Sequence, residues 1–110
     1  MIDILHLLIK TAERYGLRIL YVDSTDVTLM ARMEILPAIY IQIYRNIEKD
    51  KMNMALIIGN DRAYGVDSEG GIYHEHPAED PLRHLPIMEK IELEPFVVRC
   101  LEILQDKGIL

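Results

Sequence analysis

The chain contains few of the residues on which several classes of small protein depend. It has one cysteine, Cys100, and no tryptophan among its 110 residues. A single thiol excludes an intramolecular disulfide and a zinc site built on cysteines. No apolar run approaches the roughly 20 residues that a membrane-spanning helix needs. The apolar residues 4–9 lack the basic start and small-residue cleavage site of a signal peptide. We therefore expect a cytoplasmic protein without a membrane segment.

Positive charge is also scarce. The chain has 12 Lys and Arg residues against 18 Asp and Glu, which gives a formal net charge of −6, and the basic residues are scattered. Long phosphate backbones are bound mainly by clustered Lys and Arg side chains. Extended nucleic-acid binding is therefore disfavoured. A short RNA segment in a small cleft remains compatible with the sequence, because a local arrangement of charges can oppose the net charge.

Apolar residues are plentiful, since hydrophobic types make up 50% of the chain. The length predicts one domain over residues 1–110. A helical pattern covers residues 1–15 and ends at Gly16, and strand patterns follow up to His76. A second helix is predicted from Glu94, with Pro95 at its first helical position and Gly108 at its end. The order predicts an α+β fold: a largely antiparallel meander of five to six strands, flanked by an N-terminal and a C-terminal helix.

The segment from Asp67 to His84 carries most of the chemistry in the sequence. His74 and His76 are separated by one residue, which in a strand places both side chains on one face, with their Cα atoms about 6.5–7 Å apart. With His84 they form a candidate metal site, for a divalent ion such as zinc. Alternatively, His74 and His76 form an acid and base pair, since imidazole titrates near neutral pH. A third interpretation is a solvated strand end that Pro77 terminates. The residues leave all three open.

The stretch from Tyr40 to His84 resembles small TumE-like toxins. The resemblance rests on an aromatic strand, a hairpin, the segment Arg62-Ala63-Tyr64-Gly65-Val66-Asp67, and a terminal group of histidines beside prolines. It implies RNA cleavage and an antitoxin-like protein partner. The candidate functional positions that it implies are Asp67, His74, His76 and His84, with Arg62 nearby. The histidine group is sparser here than in that family, and a full helix follows it.

Two functions follow as hypotheses. The first is a small ribonuclease-like hydrolase in which His74 and His76 act with Asp67 while Arg62 holds phosphate. The second is a non-catalytic binding or assembly module, such as a homodimer. Its interface would be the polar face of the tyrosine-rich strand or an apolar row formed by Met52, Met54, Leu56 and Ile58.

Overall fold

The computed structural model describes residues 2–110, which form two helices and seven strands. Helix α1 spans Ile2–Tyr15 and helix α2 spans Leu93–Asp106. The strands are β1 Arg18–Ser24, β2 Thr28–Leu36, β3 Ile39–Asn46, β4 Lys51–Ile58, β5 Asp61–Glu69, β6 Ile72–His76 and β7 Leu85–Ile87. Neither helix among the described residues is long and apolar enough to cross a membrane.

The seven strands form one sheet in the order of the chain, and every neighbouring pair is antiparallel. The predicted α+β class, the antiparallel meander and the two terminal helices are confirmed. The predicted number of five to six strands was wrong. The additional strand is β7, which has only three residues and contains Pro86. A proline is tolerated in an edge strand because its missing N–H donor can lie on the side that faces away from the neighbouring strand. In the sequence, however, a proline in so short a segment does not indicate a strand.

Both helices cover the same face of the sheet and enclose the core with it. Phe96, Val97 and Leu104 of α2 are fully buried there, and the Phe96 ring stacks on Tyr64 of β5 with ring centroids 5.4 Å apart. Alternate residues of the central strands supply the other half of the core, because side chains along a strand point to opposite faces. We call the helix-covered side the core face and the other side the open face.

The core face contains the apolar row of β4 that was considered as a protein interface. Met52, Met54 and Leu56 are at most 8% exposed. The fourth member, Ile58, is half-buried and packs against the same core. That part of the assembly hypothesis was therefore wrong. Methionine fills irregular gaps in protein cores well. Packing in the core therefore explains the two methionines of this row, and no partner protein is needed to explain them.

The beginning of α2 also differs from the prediction. Leu93 is its first residue, so Pro95 occupies the third helical position and not the first. The backbone N–H groups of the whole first turn have no partner within a helix, so the position of Pro95 still sacrifices no helical hydrogen bond. Gly16 and Gly108 follow the two helices with φ of +68° and +74°, in agreement with the predicted ends.

Candidate functional site

Strands β5 and β6 bring Asp67 and two histidines together on the open face. Asp67 lies directly opposite His74, and Gly65 lies directly opposite His76. Residues opposite each other in an antiparallel pair point to the same face of the sheet. The hairpin therefore places one carboxylate and two imidazoles in a compact group at the β6–β7 side of the sheet.

A bulge places Arg62 on the same face. Leu56 pairs with Tyr64, but its neighbour Ile57 pairs with Arg62, so Ala63 is an extra residue in β5. Without the bulge, alternation would put Arg62 on the core face together with Tyr64. Bulges near the end of a strand commonly redirect a side chain in this way.

His76 is the most tightly held residue of the group. It is 3% exposed, and its Nε2 lies 2.7 Å from Oδ2 of Asp67. Its Nδ1 lies 3.1 Å from the carbonyl oxygen of Pro81. A carbonyl oxygen can only accept, so Nδ1 carries a proton and donates it. On the other side of the ring, Nε2 contacts the Asp67 carboxylate, so both ring nitrogens of His76 have a polar partner.

His84 completes the group from the loop that follows β6. Its ring centroid lies 4.3 Å from that of His76 and 6.1 Å from that of His74, in both cases edge to face. The bond from His76 to Pro81 holds this loop against the sheet three residues before His84. The three histidines therefore converge and are not spread along a rim. His6, on α1, is exposed and lines neither cleft described below.

Two open clefts meet at His84. The first, of about 510 Å³, is lined by His74 and His84 together with Asp67, and by donor side chains from Lys51, Asn53 and Ser68. The second, of about 440 Å³, is lined by His76, His84 and Arg62. Lys51 is the cation in the lining of the first cleft and Arg62 is the cation in the lining of the second. Arg62 and His74 thus lie in different clefts.

Three residues of the site, Lys51, Asn53 and Gly65, escaped the sequence analysis. Lys51 ends a run of charged residues, 48–51, but in the sheet it pairs with Glu69, and its neighbour on the same face, Asn53, pairs with Asp67. Gly65, in contrast, left a signal in the sequence. A glycine inside a strand pattern often marks a close approach of other groups.

The close approach at Gly65 involves both Arg62 and His76. A Cβ atom built on Gly65 would lie 3.3 Å from Cδ of Arg62 and 3.6 Å from Cδ2 of His76. It would also lie 3.1 Å from the carbonyl oxygen of Met54 on β4. The missing side chain therefore gives the guanidinium stem and the imidazole room to sit side by side over β5.

Two observations bear on the predicted three-histidine metal site. Among residues 2–110, no three His, Cys, Asp or Glu side chains are grouped to hold a metal ion. A histidine binds a metal through a ring nitrogen with a free lone pair, and both nitrogens of His76 already have partners. The set His74, His76 and His84 stays a prediction, which would require His76 to release Asp67 or Pro81.

The other two imidazoles, those of His74 and His84, line clefts that are open to solvent. His74 has no hydrogen-bond partner among the described residues, and His84 is exposed with its ring toward both clefts. His76 is placed to orient His84 and the loop. The roles of Arg62, Asp67, His74, His76 and His84 in a reaction stay predictions. Comparisons with models of protein families, with curated proteins and with solved structures found no match for this chain.

Proposed function

We propose that the protein is a small ribonuclease-like hydrolase that cleaves short single-stranded RNA without a metal ion. The observation that supports this most is the convergence of three imidazole rings beside the buried contact between His76 and Asp67. Histidine is the side chain best suited to move protons near neutral pH. The resemblance to TumE-like toxins supplies RNA as the substrate class.

His74 and His84 are the acid–base pair in this proposal. One imidazole removes the proton of a ribose 2′-hydroxyl, and that oxygen bonds to the adjacent phosphorus. The bond from phosphorus to the 5′-oxygen of the next nucleotide breaks, and the other imidazole donates a proton to the leaving oxygen. The products are a 2′,3′-cyclic phosphate and a free 5′-hydroxyl. Neither product requires an oxidant, a reductant or a second substrate.

The remaining residues bind and orient. Lys51 in the first cleft and Arg62 in the second each offer a cation to one phosphate, and the planar guanidinium of Arg62 can bond two phosphate oxygens at once. His76 and Asp67 are positioning residues, because their hydrogen bonds hold the loop that carries His84. This differs from the sequence-based assignment of His76 to proton transfer, because its ring nitrogens are occupied.

Cleavage of a short RNA labelled at one end tests the proposal. We expect His74→Ala and His84→Ala to lower kcat by roughly 10²–10⁴-fold, the usual contribution of a positioned acid or base. His6→Ala is the matched control and should retain full activity, since His6 is exposed on α1 outside both clefts. Full activity in His74→Ala would refute the assignment.

Two further measurements distinguish the mechanism from its metal-dependent alternative. Cleavage should persist in excess EDTA, and an RNA with a single 2′-deoxy sugar at the scissile position should resist it. Activity that EDTA removes and zinc restores would instead support the three-histidine metal site. Asp67→Asn should lower kcat with a smaller change in KM, because it disturbs the placement of His84 and not the phosphate contacts.

A binding module with a protein partner is the second candidate function. Two exposed apolar side chains lie on the rims of the clefts: Ile72, 64% exposed, at the first, and Leu82, 91% exposed, at the second. In this second proposal, the antitoxin-like protein that the resemblance implies covers these two side chains and sits over the histidines. Native co-purification tests this function. Ile72→Lys/Leu82→Lys should lose a stoichiometric partner that Met88→Lys, altered at an exposed residue outside both clefts, retains.

A further inference from the structure

The two edges of the sheet differ in length and in protection. The edge strand β7 has three residues and contains Pro86, which removes one backbone donor. The edge strand β1 has seven residues, and its middle carries Leu20, Tyr21 and Val22, which are 44%, 48% and 38% exposed. A long apolar edge presents unpaired N–H and C=O groups to any strand that can align with it.

The residues of β1 are complementary to those of a second, antiparallel copy of β1. Its ends carry opposite charges, Arg18 and Asp23, and the side chain of Arg18 is 72% exposed. If two copies pair so that Arg18 of each lies opposite Asp23 of the other, Ile19 lies opposite Val22. Leu20 and Tyr21 then meet at the centre. Two ion pairs therefore flank an apolar middle.

A bulge in β1 makes this register consistent with the two faces of the sheet. Pairing with β2 shifts between Ile19 and Tyr21, so Leu20 is an extra residue. Arg18 pairs with Glu34 and Asp23 with Met30, which both lie on the open face. Ile19 and Val22 pair with the buried residues Met33 and Ala31 on the core face. Without the bulge, Arg18 and Asp23 would point to opposite faces and could not meet.

We infer that the protein forms a homodimer in which the β1 strands of two copies pair antiparallel and join their sheets into one. A twofold axis perpendicular to the sheet relates the copies and keeps the helices of both on the same side. In the single chain, a guanidinium nitrogen of Arg18 lies 3.1 Å from Oε1 of Glu34. In the dimer, Arg18 lies between this Glu34 and Asp23 of the second copy. The interface is isologous, as in most dimers.

The inference does not depend on the proposed function. The clefts lie at β4, β5, β6 and the loop before β7, and two strands separate β1 from β4 in the sheet. The dimer places the two histidine groups at its opposite ends and leaves both clefts open. RNA cleavage should therefore be unchanged by substitutions that separate the copies.

Sedimentation equilibrium of the full chain tests the dimer. We expect a mass of twice the 12.7 kDa chain at micromolar concentration. Asp23→Arg places two pairs of like charges in the interface and should raise the dissociation constant at least tenfold. Leu20→Lys should act in the same direction, because it puts a charge in the apolar middle. Met88→Lys, at the exposed residue beside β7, is the control and should leave the dimer intact.

Mixing two charge variants makes the test specific to the register. Arg18→Asp carries only acidic side chains at these two positions, and Asp23→Arg carries only basic ones. Each should be monomeric alone, and an equimolar mixture should form a heterodimer. Circular dichroism establishes that each variant is folded, which matters for Arg18→Asp because Glu34 lies beside the substituted position.

Three outcomes would overturn the inference. The first is a wild-type chain that stays monomeric up to about 100 μM, roughly a hundredfold above the concentration expected for dimerisation. The β1 edge would then pair with a strand of another protein and not with a second copy. A dimer that neither Asp23→Arg nor Leu20→Lys weakens must use another surface. Folded charge variants that fail to form a heterodimer would reject the register.

Discussion

The two faces of strand β5 differ in what holds them in place, although residues of the two faces alternate along the same short segment. Tyr64 and Val66 are buried on the core face, where Tyr64 stacks on Phe96. Gly65 and Asp67 lie on the open face, beside His76. The core face is held by apolar area and close packing, whose loss costs stability directly. The open face is held by two hydrogen bonds of one buried imidazole, whose loss mainly changes geometry.

This difference predicts that the two faces can be damaged separately. Substitutions on the core face should lower the free energy of unfolding without a specific effect on the clefts. Substitutions on the open face should alter the clefts at a smaller cost in stability. Three substitutions test this separation, in decreasing order of effect.

Phe96→Ala should produce the largest effect. The ring is fully buried against Tyr64, and its removal leaves a cavity in the core. We expect the free energy of unfolding to fall by about 3–5 kcal/mol, measured by urea denaturation. Val98→Ala, at the 37% exposed residue two positions along α2, should cost about 0.5 kcal/mol or less. Equal losses in the two variants would mean that α2 does not form the core described.

Gly65→Ala should have an intermediate effect and should act on the open face. The added methyl group approaches the Met54 carbonyl oxygen to 3.1 Å, and that backbone belongs to a central strand that cannot easily move. We expect a loss of about 1 kcal/mol and a displaced Arg62, seen as changed imidazole NMR signals of His76. Gly65→Ala in an Arg62→Ala background lacks the contact with the Arg62 side chain. The loss of stability in that background therefore measures the contact with the Met54 carbonyl oxygen alone. An unchanged His76 signal would contradict the close approach over Gly65.

Tyr64→Phe should have the smallest effect at neutral pH and a distinctive effect at alkaline pH. The hydroxyl donates to Oε2 of Glu75 over a long 3.4 Å, so its removal should cost about 0.5 kcal/mol. Burial, assisted by the charge of Glu75, raises the pKa of Tyr64 above its ordinary value of 10.0. The folded chain therefore keeps this proton at a pH where the unfolded chain has lost it.

The sign of the pH dependence follows from that difference in protons. The contribution of Tyr64 to stability is complete below about pH 10 and decreases as the pH rises beyond it. Urea denaturation from about pH 9 to about pH 11 should show a steeper loss in the wild type than in Tyr64→Phe. Glu75→Gln should keep most of the wild-type slope, because burial, the larger cause, still raises the pKa of Tyr64. Identical slopes in all three proteins would contradict a buried Tyr64 hydroxyl.

Several parts of the site followed from local patterns in the sequence. Alternation along a strand put His74 and His76 on one face, and the order of helical and strand patterns gave the α+β class. Other parts depended on contacts between residues distant in sequence. The bulge at Ala63 is invisible without the β4 partner, and no pattern indicates that the Pro81 carbonyl oxygen accepts from His76. The prediction of a metal site was made from the spacing of the histidines, without that contact.

The sequence by itself determined the elements and which side chains share a strand face, because both depend on periodicities of two and 3.6 residues that are local to the chain. Only the tertiary structure decided what those faces contact. Register brought Lys51, Asn53 and Asp67 beside His74, and folding of the Pro-rich loop brought His84 to His76. Contacts across strands and loops depend on hydrogen-bond partners and on packing space, and neither is encoded in the spacing of residues along one segment.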